Sequence, residues 1–200
     1  MGLDMCVYKI RKLDVSEAAQ LQGKNISSLN KDSRSFVVIS KEEALDENGN
    51  LIPMFAQLSP YLREVKLIDT FFNLNQVQKD FGIPEDAEVS GLSCIGNVLT
   101  YCFQWKQGEK RVELSREECE KYTYEDAVEF YICGCTKLAY WRKEYRLQNK
   151  LYDLCPVDLE NCGYYRCTDE MLAAMQEFEA FEDGIPECDS NEAIFYWEWY

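Results

Sequence analysis

The groups able to do chemistry in this chain are carboxylates, tyrosine hydroxyls, thiols and cations, because its 200 residues include no histidine. That absence removes Ser-His-Asp and Cys-His pairs, in which imidazole moves the proton, and every zinc site built on an imidazole. Thiolates alone can hold zinc, and Cys133-Gly134-Cys135 with Cys162 and Cys167 supplies four. Their spacing lacks the two- to four-residue knuckles of structural sites, so they read as buried free thiols with no metal. No cationic helix terminus stands near Cys133 and Cys135 to depress a thiol pKa, which argues against a redox pair. Glu64-Val65-Lys66 puts an acid and a lysine on one face of a strand, half of a metal-dependent nuclease site. The same pattern also makes a plain ion-paired strand face. Asp46-Glu47-Asn48-Gly49 opens like a calcium loop, but the glycine comes two places early and Gln57 stands where a bidentate acid belongs. It therefore reads as a turn. Gly-x-Gly and the phosphate-binding glycine loop are both missing. Neither a catalytic residue nor a cofactor is expected from these motifs.

Recognition chemistry is better represented. In Tyr140-Trp141-Arg142-Lys143 the bland reading packs Trp141 in the core and leaves Arg142 and Lys143 in water. The sharper one is a binding surface, with the planar donor fork of Arg142 beside a ring that can stack. Asn161-Cys162-Gly163 reads as a turn that needs its glycine, with a ligand-binding loop as the alternative. Asp4, Asn161 and Gly163 join the tyrosine-tryptophan-arginine-lysine run as candidate binding residues. So do three acids further on, Glu177, Glu182 and Asp183.

Charge gives those acids their weight. The chain carries a formal net charge of −15 and a pI near 4.5. A nucleic-acid binder normally shows a basic footprint, so direct nucleic-acid binding is not expected. From Cys167 to Tyr200 there are ten acids and no lysine or arginine, whereas Lys137 to Lys150 holds five bases against Glu144 alone. Either the acidic part lies against the basic stretch within one fold, or it faces outward and attracts a basic partner protein. Phe195, Tyr196, Trp197, Trp199 and Tyr200 would then be interface anchors in the second case, or a core strand in the first.

Met-Gly-Leu-Asp-Met at positions 1–5, the Tyr140-Trp141-Arg142-Lys143 run, Asn161-Cys162-Gly163-Tyr164-Tyr165 and the segment from Thr168 to Met175 resemble a family of small phage- and prophage-associated proteins of unknown function. The likeness covers the first five residues and about 139–200. In that family the Tyr-Trp-Arg-Lys run begins a helix that carries a histidine and an asparagine further along. Gln148 and Tyr145 stand at the corresponding places here, so any histidine-dependent chemistry of relatives is absent or altered. The resemblance implies a mobile-element origin and a bacterial cytoplasmic setting, and supplies no activity.

Composition sets the scaffold. At 46% hydrophobic and 14% aromatic the chain fills a core, which excludes wholesale disorder. Asp4 without a following apolar run argues against a signal peptide, and Cys6 spoils a myristoylation motif at Gly2. The longest uncharged run, Val89 to Trp105, is too polar and short to span a membrane. Ten cysteines are too few for a secreted disulfide scaffold of this length. In a reducing cytosol they stay free.

Strands are expected at Val7–Ile10, Phe36–Ile39, Ala127–Ile132 and 194–200; over 61–72 Ser59-Pro60 could open a helix, whereas Val65, Ile68, Thr70, Phe71 and Phe72 favour a strand. A hairpin is expected from Val98–Trp105 and Arg111–Leu114 around a 106–110 loop. Short helices should run from Asn75 to Phe81 and after the Ser115 capping box. Residues 14–35 read as loop. The apolar spacing of Leu138, Trp141, Tyr145 and Tyr152 predicts a helix from Thr136 to Asp153. Thr168 should cap another, continuing through Phe178. The expectation is one α+β domain over 1–200, a mixed and mostly antiparallel sheet packed against a few helices, with 167–200 a strongly acidic helix plus terminal strand. Three functions fit: a binding accessory protein whose acidic surface docks a basic host protein, a small enzyme of unfamiliar type using carboxylates, Tyr140, Arg142 and a thiol or metal, or a component of a symmetric particle.

Overall fold

The structure, a computed structural model, describes residues 3–29, 35–155, 157 and 161–200. It begins with β1 (Asp4–Arg11), α1 (Val15–Leu21), α2 (Ile26–Leu29), β2 (Phe36–Ser40), α3 (Lys41–Ala44), α4 (Pro53–Ala56) and a 3-10 turn at Ser59–Tyr61. The middle holds β3 (Arg63–Phe72), α5 (Leu74–Asp80), β4 (Glu88–Ile95), β5 (Val98–Trp105), β6 (Gly108–Ser115) and α6 (Arg116–Glu120). The last part comprises β7 (Thr123–Arg142), α7 (Tyr145–Leu154), β8 (Tyr164–Arg166), α8 (Asp169–Gln176) and β9 (Glu192–Trp199). With 43% strand, 28% helix and mostly antiparallel sheets, the α+β expectation holds. Two compact units form, one from Met1–Leu67 with Ala127–Tyr200 and one from Ile68–Asp126.

The larger unit is built on a sheet of order β2-β7-β1-β9-β8, with β3 also paired to β7. β9 explains why helices cover both faces. Alternate residues point to opposite faces of a strand, and in β9 both faces carry apolar side chains. Ile194 and Tyr196 enter one core with Met5, Val7, Leu147, Leu151, Met171 and Met175. Ala193 and Phe195 enter another with Ile10, Val37, Ile39, Tyr61, Cys133 and Cys135. The first core seats α7 and α8, and the second is closed by the 40–62 segment. A third cluster joins Leu13, Ala18 and Leu21 to Val65, Phe130 and Ile132.

The smaller unit is a three-stranded antiparallel sheet, β4-β5-β6. Tyr101, Phe103, Val112 and Leu114 face Val77 of α5, and Phe72 stacks on Tyr101 with ring centres 5.3 Å apart. The Ser115 capping box forms as its sequence predicts: the Glu118 amide donates to Ser115 Oγ at 3.3 Å and the Ser115 amide to Glu118 Oε2 at 2.8 Å.

Four expectations are corrected. The stretch from Thr136 to Arg142 is strand, not helix, because β7 pairs with β1 residue by residue from Gly134–Arg11 to Arg142–Asp4. The helix starts only at Tyr145. Between them Lys143 adopts a left-handed φ of 59°, and its amide donates to the Leu3 carbonyl at 2.8 Å. The helical spacing arises partly from a bulge: Val7 faces Ala139 and Tyr8 faces Lys137, so Leu138 is an extra residue. Leu138, Ala139 and Trp141 consequently all pack against the first core. Second, the described part of 14–35 contains α1, nucleated by a capping box that Asp14 and Glu17 make, and α2. Residues 30–34 lie outside the described residues. Third, the 105–108 connection is a two-residue turn between Trp105 and Gly108. Fourth, α8 stops at Gln176.

The α1 cap is clamped by charge. Arg11 donates to both Glu17 oxygens, at 2.8 and 2.7 Å, while the Asp14 amide donates to Glu17 Oε2 at 2.9 Å. The Arg11 hydrogen bonds first, and the Asp14 amide second, hold the Glu17 carboxyl down to about 2. A carboxyl depressed in the folded state stabilises it above the ordinary glutamate range and loses that contribution as pH falls through the folded value. Between pH 4.5 and about 2, Glu17→Gln should therefore flatten part of the fall in stability. Urea-unfolding midpoints of both proteins across that interval measure the difference.

Candidate functional site

A groove of about 470 Å³ lies between the end of β7 and the 179–186 segment. β2 runs beside β7 only from Phe130 to Gly134, so the stretch beyond the bulge is flanked by this segment. Trp141 fixes the arrangement by donating from Nε1 to the Phe178 carbonyl at 3.1 Å. Glu179 turns the chain with a left-handed φ of 60°, and Gly184 turns it again at φ 89°. The groove walls combine rings from Tyr140, Trp141 and Phe181 with the carboxylates of Glu179, Glu182 and Asp183. Ligand pockets of about 300–1,000 Å³ are the usual size range. An acidic, aromatic-walled groove suits a cation, since both carboxylates and ring faces attract positive charge.

Four of the sequence-predicted residues, Tyr140, Trp141, Glu182 and Asp183, meet in this groove. Asp4 and Arg142 lie beside it. The Tyr140 hydroxyl donates to Asp4 Oδ1, Arg142 Nε lies 4.0 Å from the same oxygen, and Lys137 Nζ sits 5.6 Å from the Tyr140 ring centre. The Asp4 hydrogen bond first, then burial, pushes the Tyr140 hydroxyl above its usual range, which opposes its use as a base or nucleophile. Arg142 and Lys143 are exposed, as the sequence reading places them.

Asn161 and Gly163 do not join the groove. Asn161 ties down the chain beside β9: the Tyr200 amide donates to its Oδ1 at 2.9 Å, and its Nδ2 to the Tyr200 carbonyl at 3.3 Å. The left-handed residue of that turn is Cys162, at φ 66°, rather than Gly163. Gly163 is required for space, because a Cβ there would lie 2.6 Å from the Tyr165 ring carbon Cζ.

The acidic tail is only sparingly neutralised. Glu177 pairs with Lys150 of α7 at 2.7 Å, and Glu192 with Lys9 at 2.6 Å. Among the described residues no ion pair is formed by Glu179, Glu182 or Asp183. Glu170 sits in the first turn of α8, where its own amide and the Thr168 cap hold its carboxyl below the usual range. On α7, Arg146 pairs with Glu144 at 3.1 Å and lies over the Phe178 ring.

One acid behaves differently and was not singled out by its sequence context. Glu198 is fully buried and accepts three hydrogen bonds: from the Tyr196 hydroxyl at 2.6 Å, the Tyr152 hydroxyl at 2.6 Å and Gln148 Nε2 at 3.0 Å. Burial, and then the Glu198 hydrogen bond, push both tyrosine hydroxyls well above their usual range. The signal was present in alternation: Glu198 has the core-facing parity of Ile194 and Tyr196.

The other motifs resolve into structure. Cys133 and Cys135 lie in the core opposite the one that Cys167 packs against, so the four thiols do not gather. Burial pushes Cys135 up to about 11 and raises Cys133 and Cys167 too, which keeps them protonated. Among the described residues no cluster of three or more cysteine or acidic side chains is placed to hold a metal. Glu64 and Glu129 are bridged by Lys41 Nζ, at 3.0 and 3.3 Å. That ammonium occupies the place between the two acids that a metal would need. The turn at Asp46 closes on itself, the Asn48 and Asn50 amides donating to Asp46 Oδ1. Among the described residues no helix is long and apolar enough to cross a membrane.

Comparison with family models, curated proteins and solved structures finds no match for this chain. The groove and the buried carboxyl therefore stand on their own geometry. Glu198→Ala leaves two hydroxyls and an amide without their acceptor in the core and should cost about 3 kcal/mol. Tyr152→Phe should cost about 1 kcal/mol, and Glu187→Ala on the surface less than about 0.5 kcal/mol. Chemical denaturation of the three variants beside the parent reads these differences.

Proposed function

We propose that this chain is a phage or mobile-element accessory protein that acts by binding, its acidic groove docking a basic surface of a protein in the bacterial cytoplasm. The observation carrying this reading is the groove itself, where Glu179, Glu182 and Asp183 stand around Tyr140, Trp141 and Phe181 and, among the described residues, form no ion pair. A lysine or arginine side chain entering there gains charge attraction from the acids and ring contact from the aromatics. Trp141 and Phe181 are anchored to the core, so the walls are set before a partner arrives, which limits the ordering cost of association. The Tyr140–Asp4–Arg142 cluster at its rim adds polar contacts at which orientation can be read. The phage association rests on the sequence resemblance alone.

Capture from a bacterial lysate on immobilised protein tests the reading. Partners held at low salt should be released at high salt, because screening weakens attraction between exposed charges. Neutralising the groove with Glu179→Gln, Glu182→Gln and Asp183→Asn together should weaken capture on the order of tenfold, taking roughly half a kcal/mol per exposed charge pair. Capture that ignores both salt and these substitutions overturns the proposal, as does a failure to retain any protein at low salt.

A further inference from the structure

The acidic groove runs along a strand edge. Leu138, Ala139, Tyr140 and Trp141 line it in unbroken succession, with residues 179–184 as the facing wall. Side chains of a strand alternate between its faces, so four successive residues reach one cavity only where the main chain itself borders it. β2 covers this side of β7 from Phe130 to Gly134, and the Ser35 carbonyl accepts from the Cys135 amide. Beyond that point, among the described residues, no strand pairs with this side.

The ladder to β1 fixes which groups are open. The Lys143 amide donates to the Leu3 carbonyl, one place beyond the Arg142–Asp4 pair. In an antiparallel ladder alternate residues turn their N–H and C=O to the same neighbour. Trp141 and Ala139 therefore turn theirs to β1, and Tyr140 and Arg142 turn theirs outward along the groove. The bulge at Leu138 comes before this stretch and leaves it regular, with Tyr140, Trp141 and Arg142 opposite Cys6, Met5 and Asp4.

Charge sets a phase on any chain that pairs here. Directly opposed residues of an antiparallel pair share a face of the sheet. Trp141 packs on the first core, and so does the start of the facing wall: Trp141 Nε1 donates to the Phe178 carbonyl, and Ala180 and Phe181 are core residues. A side chain opposite Trp141 therefore emerges on the side of the acids that follow. Side chains opposite Tyr140 and Arg142 emerge on the other face, beside Arg142 itself and Lys137, whose Nζ lies 5.6 Å from the Tyr140 ring centre. Positive charge is favoured in the first position and opposed in the second.

We propose that the groove receives its partner as an extended strand, which pairs with β7 at Tyr140 and Arg142 and carries lysine or arginine at alternate positions, on the side of Glu179, Glu182 and Asp183. This rests on the groove as the docking site for a basic protein, and it names the form in which that protein enters.

Calorimetric titration of the full chain with capped seven-residue peptides tests it. One peptide alternates threonine and lysine, and a second has the same composition with its lysines contiguous. The alternating peptide should bind tighter by on the order of tenfold, and lose that advantage against Glu179→Gln, Glu182→Gln and Asp183→Asn together. N-methylation of its threonine amides, which face β7, should weaken binding by on the order of tenfold or more, whereas N-methylation of its lysine amides, which face away, should not. Amide exchange at Tyr140 and Arg142 should slow when the alternating peptide binds, with Ala139 and Trp141 unchanged. Equal affinity for the two arrangements, indifference to threonine N-methylation, or no binding by either peptide overturns strand pairing. The docking reading is judged separately: it survives those results if lysate capture still depends on salt and on the three acids, and falls with them if capture does not.

Discussion

The larger unit depends on a carboxyl group in the wrong kind of place. Glu198 lies wholly inside, where burying a polar group without partners is costly. Three donors remove that cost, and they come from two elements: Tyr196 from the same strand, and Gln148 and Tyr152 from α7. The carboxyl therefore does more than satisfy itself. It sets the rotation of α7 on the sheet, because only one helical face presents both Gln148 and Tyr152. That same rotation buries Leu147 and Leu151 and leaves Lys150 to meet Glu177. The stretch from Glu177 to Pro186, which forms one wall of the groove, begins at that ion pair. A buried polar contact and an exposed acidic surface are thus linked through one helix.

The division of labour among the acids follows from the same geometry. Ten of them fall between Cys167 and Tyr200, and folding sorts them by surroundings rather than by sequence order. Glu198 becomes structural, Glu170 supports a helix start, Glu177 and Glu192 find cations, and three are left facing the groove. The basic stretch from Lys137 to Lys150 does not cancel the tail. The strand β7 and the turn at Lys143 carry its charges in several directions.

Much of the fold was legible where local chemistry and burial agreed. The strand at Val7–Ile10, the apolar run at 36–39, the β5–β6 hairpin and the Ser115 cap all show it. The 136–142 segment was misread because the bulge at Leu138 sets residues of adjacent parity on one core, imitating a helical stripe. Pairing with β1 along eight residues outweighs that pattern. β4 was missed because its residues lack alternation and face solvent on both sides. In the groove, Tyr140, Trp141, Glu182 and Asp183 stand out already by residue type in the sequence. Glu179 and Phe181 do not, since only the turn at 179 brings them to the end of β7. Glu198 was hidden by its type: an acid in an acidic tail reads as surface until its parity in β9 is counted.

The layered placement of the thiols turns this chain into its own reporter. Cys133 sits between the sheet and the 40–62 cover, Cys167 packs beneath α7 and α8, and Cys94 and Cys188 are open to solvent. An alkylating reagent would mark the open pair at once and reach each sheltered one only when its own layer lifts, so the order of labelling traces which face of the sheet loosens first.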